Sequence, residues 1–185
     1  TTPSFLVLAS LVNHHPWDVP GPQYEVYDST VPYHNVRNAI RYSDWAIGDL
    51  IRRCEACDTA RNTIYVITAD HAADWKYRLQ VKNVVASKPH AEQLWIPCIL
   101  YAPGMIPEGA DLPFITSHVD LAPTLLDMLS LDVETPFLGR SVFDGTPADR
   151  RFAVYVGAYS DHPFSVVSSR GYQRIGRDGE LLEDG

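Results

Sequence analysis

An acid and an imidazole stand side by side at Asp70 and His71, directly after a β-branched apolar run, residues 63–69 (TIYVITA). Such a run predicts a buried strand, and the carboxyl ends of strands in α/β sheets are where those folds build their sites. A carboxylate oxygen beside a neutral imidazole nitrogen suits a divalent cation of borderline hardness, which would polarise a phosphoryl or sulfuryl oxygen. The dipeptide alone also admits a plainer reading, with Asp70 capping a following helix and His71 a partly buried polar residue. A second polar cluster, Asn13-His14-His15-Pro16-Trp17, follows a second apolar run, residues 5–12 (FLVLASLV). Neighbours on an extended segment face opposite sides, so His15 is expected to point away from His14. Cys54 and Cys57 have the spacing of half a zinc site. No second Cys or His pair follows nearby, so helix packing is their expected role. Cys98, inside an apolar run, is expected to be a small buried hydrophobe.

The elements that must position these residues alternate along the chain. The continuous apolar character of residues 5–12 predicts a buried strand. Residues 17–32 carry Pro20, Pro22 and Pro32 with no periodicity and predict a long surface loop. From residue 33 to 57, Val36, Ile40, Ile47, Leu50, Ile51 and Cys54 recur at three- and four-residue spacing, with Ser43 in the same row, which predicts an amphipathic helix. With the strand at 63–68 this makes a strand-helix-strand unit, most simply a right-handed parallel crossover. Residues 72–93 form a polar excursion, and residues 95–102 (WIPCILYA) a further buried strand closed by the turn Pro103-Gly104. Asp120 is placed to cap a helix packing through Leu121, Leu125, Leu126 and Leu129, with Pro123 in its first turn. Short alternating runs near 152–159, 164–168 and 172–175 predict a small antiparallel sheet. The fold class expected is therefore α/β, a mostly parallel sheet flanked by helices and followed by that antiparallel sheet. The boundary is drawn at 1–150 for the α/β part and 151–185 for the small β subdomain.

Composition narrows the function classes. The 185 residues are 45% hydrophobic and 21% charged, enough for one sizeable core, and the net charge of −8 with scattered Lys and Arg argues against a nucleic-acid or anionic-membrane surface. Anionic substrates would then require local positive charge such as a metal ion. No apolar run reaches the roughly 20 residues of a membrane span.

These landmarks, in this order, resemble the sulfatase branch of the alkaline phosphatase superfamily, with the closest likeness to the lipoteichoic acid synthase and phosphoglycerol transferase type. The resemblance rests on the Asn-His-His-Pro-Trp cluster at 13–17, Arg-Tyr-Ser-Asp-Trp-Ala-Ile-Gly at 41–48, and Asn-Thr-Ile-Tyr-Val-Ile-Thr-Ala-Asp-His at 62–71. It continues through Ile-Pro-Cys-Ile-Leu-Tyr-Ala-Pro-Gly at 96–104, Ser-His-Val-Asp-Leu-Ala-Pro-Thr-Leu-Leu at 117–126 and Phe-Leu-Gly-Arg-Ser at 137–141. It implies an alkaline-phosphatase-like fold, present in part, and a metal-dependent enzyme that cleaves or transfers a phosphate or sulfate ester. One divalent ion (Mn, Mg, Ca or Zn) would be held by Asp70 and His71. His14 falls where the family has an active-site histidine contacting the phosphate or sulfate group, and His90 lies in the region that supplies another substrate contact. His118 is expected to cap or pack, and Arg140 to tie a loop down.

The same comparison shows departures. The family's nucleophile and its acidic metal ligand come from the N-terminal half of the domain; no Cys-x-Pro-x-Arg and no Gly-x-Ser-x-Gly occurs here, and Ala72 stands where a Gly is common. The chain is therefore expected to be the C-terminal half of a catalytic domain, inactive alone, from a parent protein anchored in a membrane with its active site periplasmic or extracellular. Two alternatives of another class are a non-catalytic binding or scaffold module and a metal-independent α/β hydrolase using Asp70 and His71 as acid and base.

Overall fold

The three- and four-residue apolar spacing produces one long helix, α1 (His34–Glu55), in the computed structural model, which describes residues 2–57, 60–72, 94–107, 109–156, 164–176 and 178–184. Arg52 and Arg53 in its last turn oppose the partial negative charge of the helix end, and Arg53 pairs with Asp49 four residues earlier at 2.6 Å. The buried stripe is not the one the apolar residues predict. Asn38, Ala39 and Ser43 are buried, whereas Ile40 is 59% exposed. Asn38 explains the difference, because its side-chain oxygen accepts from the Val26 and Tyr27 amides and its nitrogen donates to the Tyr27 carbonyl, at 2.9–3.0 Å. One helix side chain thereby bonds three backbone groups of the proline-rich loop and ties that loop to the helix.

Two units divide the chain, Thr1–Tyr65 with Tyr101–Ile106, and Val66–Leu100 with Pro107–Gly185. The first holds α1, the loop before it and the segment 5–12. That segment corrects the sequence reading: it forms no strand, and Phe5, Leu6, Val7 and Leu8 are 65–82% exposed. A strand needs a neighbour to take its N–H and C=O groups, and no described residue pairs with this one. The strand-helix-strand crossover therefore does not form.

Most of two short strands, β1 (Tyr65–Thr68) and β2 (Cys98–Tyr101), belongs to the second unit, and they pair as a two-stranded sheet. The ring of Tyr65, first in β1, lies 5.7 Å from that of Tyr101, last in β2, the juxtaposition of an antiparallel pair. The described residues contain no parallel sheet. A four-stranded antiparallel sheet follows, β3 (Phe152–Tyr155), β4 (Phe164–Ser168), β5 (Gly171–Ile175) and β6 (Leu181–Asp184), in sequential order. Ser168 stands opposite Gly171, so Ser169 and Arg170 make a two-residue hairpin.

Helix α2 (Leu121–Met128) is held by polar groups rather than by its leucines alone. Asp120, expected as a simple N-cap, instead accepts from the Ser117 amide with one oxygen and from the Arg140 amide with the other, each at 2.9 Å. Thr124, only 1% exposed, donates its hydroxyl to the Asp120 carbonyl and accepts the Val142 amide, and the Ser141 hydroxyl donates to Asp127. Leu129 is exposed. Between Asp120 and Arg140 the chain passes so close that a Cβ on Gly139 would sit 2.0 Å from the Val119 carbonyl oxygen, so only glycine fits.

Arg151 closes the same loop. Its guanidinium is buried, donates to the carbonyls of Thr146 and Ser141 and to Asp144, and lies over the Phe114 ring with Cζ 4.3 Å from the centroid. Burial works against ionisation of Asp144, but the amide and hydroxyl of Thr146 and the charge of Arg151 outweigh it and hold the carboxyl below its ordinary range. A carboxyl depressed in the folded state contributes stability that is present above the unfolded value, near 4, and is lost as pH falls through the folded value. Urea midpoints of Asp144→Asn should accordingly lie below wild type at pH 7 and fall less steeply between pH 5 and pH 2. Parallel acid limbs for the two proteins would refute this.

Candidate active site

β1 ends at Thr68, and the chain turns at once through Ala69 to Asp70 and His71, so the acid and imidazole stand at a strand's carboxyl end. Both are exposed, with side chains 87% and 72% accessible. One Asp70 oxygen accepts the His71 amide at 2.9 Å and leaves the other, Oδ2, 3.6 Å from His71 Nε2. His71 Nδ1 lies 2.9 Å from the Ala72 carbonyl oxygen. A carbonyl only accepts, so in the neutral ring Nδ1 carries the proton and Nε2, on the side of Asp70 Oδ2, is the acceptor nitrogen. A carbonyl behind a ring nitrogen in this way is the usual device that orients a ligating histidine.

His118 is the residue whose role the sequence did not reveal. Its Nε2 donates to the Ala69 carbonyl at 2.7 Å, one residue before Asp70, and the Thr68 hydroxyl reaches the same oxygen at 3.4 Å. The Ser117–Asp120 bond fixes the turn that carries His118. A side chain meeting a carbonyl 49 residues away leaves no trace in local pattern, and only its place beside the helix start was readable.

A cleft of about 290 Å³ opens beside this turn. Thr68 and His118 border it, with Trp95, Cys98, Phe114 and Ile115 among its walls. Cys98 corrects the sequence reading in part: it is exposed rather than fully buried, although enclosure of its sulfur pushes the thiol above its ordinary range.

His14 belongs to the first unit, whereas Asp70 and His71 belong to the second. Its loop is anchored by Ser43, which donates to Asn13 Oδ1 at 3.1 Å, and by Trp17, whose indole donates to the Asn13 carbonyl. His14 Nδ1 donates to the His15 carbonyl at 2.8 Å, which leaves Nε2 as its acceptor nitrogen, and the His15 ring packs edge-on against Trp17. The role of Ser43 in holding Asn13 was legible only as its position in the helix row. His90 lies outside the described residues.

A strand-end oxygen–nitrogen pair beside a cleft is an arrangement that a divalent ion can occupy. The chain belongs to the sulfatase family, whose model matches residues 1–131. The match takes in His14, Asp70, His71 and His118 and stops before the antiparallel sheet. It makes the protein a member of an enzyme family whose chemistry is hydrolase-type cleavage of sulfate or phosphate esters, generally with a divalent metal.

The donor pair fits such an ion. Two atoms each about 2.1 Å from one cation lie no more than about 4.2 Å apart, and Asp70 Oδ2 and His71 Nε2 are 3.6 Å apart with the histidine proton held on the other nitrogen. Among the described residues no group of three or more His, Cys, Asp or Glu side chains converges.

Proposed function

We propose that the protein takes part in metal-dependent cleavage or transfer of a sulfate or phosphate ester, with Asp70 and His71 as two of the ligands. The observation that carries this reading is the oriented oxygen–nitrogen pair at the end of β1 in a chain of the sulfatase family. A divalent ion there would supply Lewis-acid polarisation of a non-bridging oxygen. Two protein donors hold an ion weakly, so the remaining donors and the nucleophile are assigned to residues outside those described, in an N-terminal half of the domain. The family resemblance gives His14 a contact to a non-bridging oxygen or the leaving group of the ester, and His90 a further substrate contact. Water as acceptor gives a hydrolase; an alcohol gives a transferase of the phosphoglycerol type.

Of the alternatives, the binding-module reading is favoured by one observation, that the pair has no third acid, histidine or cysteine beside it among the described residues. Turnover of 4-nitrophenyl sulfate and 4-nitrophenyl phosphate by the intact protein separates the readings. Activity lost on exhaustive chelation and restored by one divalent metal supports the proposal. Full activity in chelator favours acid–base hydrolysis without metal, and no turnover of either ester under any metal favours the binding module. A parent protein of this type would be membrane-anchored with its site periplasmic or extracellular. No helix among the described residues is long and apolar enough to cross a membrane.

His118 gives a second test. Its bond to the Ala69 carbonyl holds the turn that sets Asp70, so His118→Ala is expected to weaken metal binding roughly tenfold, at the low end of what an outer partner of a metal ligand contributes. The urea midpoint should barely move, because His118 is exposed. Unchanged metal affinity by calorimetric titration would remove His118 from this role.

A further inference from the structure

The cleft beside the Asp70–His71 turn has walls from five stretches of one unit. Thr68 ends β1, Trp95 and Cys98 flank the entry to β2, Phe114 and His118 come from the stretch before α2, and Ala153 and Val167 come from the antiparallel sheet. Ala153 and Val167 stand directly opposite each other across β3 and β4, so both face the cleft from one side of that sheet. Behind Phe114 lies the Arg151 guanidinium, itself tied to three oxygens, so the ring is held in place as a wall.

Its chemistry is apolar. Among the described residues the lining includes no Asp, Glu, Lys or Arg, and its polar members there are Thr68, Thr116, Ser117 and His118. The two nearest the turn are already engaged on the Ala69 carbonyl, His118 at 2.7 Å and Thr68 at 3.4 Å. A polyol entering the cleft would give up water without finding matching partners, whereas an aromatic or branched alkyl group would give up little and gain contact. A volume of about 290 Å³ suits one fused ring pair or a short branched chain. Position supports the same occupant: Thr68, on the cleft wall, precedes Asp70 by only two residues, so an ester held at the turn would carry its alcohol portion beside the cleft.

We propose that this cleft binds the apolar alcohol portion of the ester substrate, an aryl or branched alkyl group, and so selects against glycerol-like alcohols. The inference rests on the ester-cleaving reading for its meaning, but the binding it requires needs no metal and no turnover. The test titrates 2-naphthol, and separately glycerol, into the full chain carrying ¹³C-labelled methyl groups. Saturable shifts confined to Ile96, Ile115, Leu121 and Val167 with 2-naphthol, and none with glycerol, are expected. Ala153→Phe should fill the cleft and weaken naphthol binding at least tenfold, and Ala153→Leu should weaken it less, with either variant judged only where the β4 and β5 resonances stay dispersed. Unmoved cleft methyls at millimolar naphthol, equal shifts with glycerol, or wild-type affinity in both folded Ala153 variants would overturn the proposal.

Turnover separates this inference from the reading beneath it. If the intact protein binds 2-naphthol at the cleft but cleaves neither naphthyl sulfate nor naphthyl phosphate, the cleft stands and the ester-cleaving reading falls. If naphthyl and glyceryl esters are cleaved with equal kcat/KM, that reading stands and the cleft as a selector falls.

Discussion

Asp70→Ala in the intact protein is expected to remove bound metal and turnover together. Asp70 has 87% of its side chain exposed and, among the described residues, its hydrogen-bond partner is the amide of His71, so the substitution should leave the fold intact. Its loss instead strips the anionic oxygen from a pair in which the other donor is neutral, so the donors that remain would hold a hydrolytic ion far more weakly. Lewis-acid stabilisation of developing charge is worth several kcal/mol, and about 4 kcal/mol corresponds to roughly a thousandfold in rate. We therefore expect kcat to fall at least about a thousandfold, with unfolding midpoints within error of wild type. Asp70→Asn, which keeps an oxygen but not the charge, should retain weak metal binding and intermediate activity. Stoichiometric metal in purified Asp70→Ala, measured by elemental analysis, would sink the ligand assignment. If turnover persisted in a metal-free variant, the acid–base alternative would gain instead, because then neither the ion nor the carboxylate is required.

The parts of the molecule that were legible in the sequence are those whose signal is local. Helix α1 follows from apolar spacing, and β1 from a β-branched run that stops at an acid. The antiparallel sheet follows from short alternating segments between Gly, Pro and charged turns. Residues 5–12 carried as strong a strand signal as β1 and form none, since an apolar run states only that a segment would be buried if paired. Whether it pairs depends on a neighbour, which local pattern does not encode. The helix faces failed for a related reason: Asn38 and Thr124 are more buried than the isoleucines and leucines beside them because each satisfies several backbone groups at once. Polar residues chosen for their partners have no periodicity to read. In the candidate site the same division holds. Asp70 and His71 were visible as neighbours at a strand end, but the proton on His71 Nδ1, the His118 bond to Ala69 and the apolar cleft all depend on contacts made only in the fold.

Arg151→Ala is expected to cost the second unit about 2–4 kcal/mol, because a buried guanidinium that donates to two carbonyls and a carboxylate is removed. That is a large share of the 5–15 kcal/mol by which domains are stable. Three consequences combine. The carbonyls of Ser141 and Thr146 lose their donors, Asp144 loses the positive charge that helps hold its carboxyl ionised, and the Phe114 ring loses the plane stacked on it. Lysine restores the charge but not the fork, since one ammonium cannot donate in the fixed directions that reach two carbonyls and a carboxylate while lying flat on a ring. Arg151→Lys should therefore recover less than half of the loss. Urea unfolding at pH 7, followed by far-ultraviolet circular dichroism, measures both. A destabilisation by alanine of less than about 1 kcal/mol would place this guanidinium among the weak exposed pairs, contrary to its burial. The substitution also reaches the cleft. Phe114 is the wall that Arg151 backs, so where Arg151→Lys remains folded its affinity for 2-naphthol should fall, although residue 151 itself is not part of the lining. An arginine that sequence inspection treats as one more surface charge thus links the loop at 141–146, the start of β3 and the wall of the proposed alcohol site.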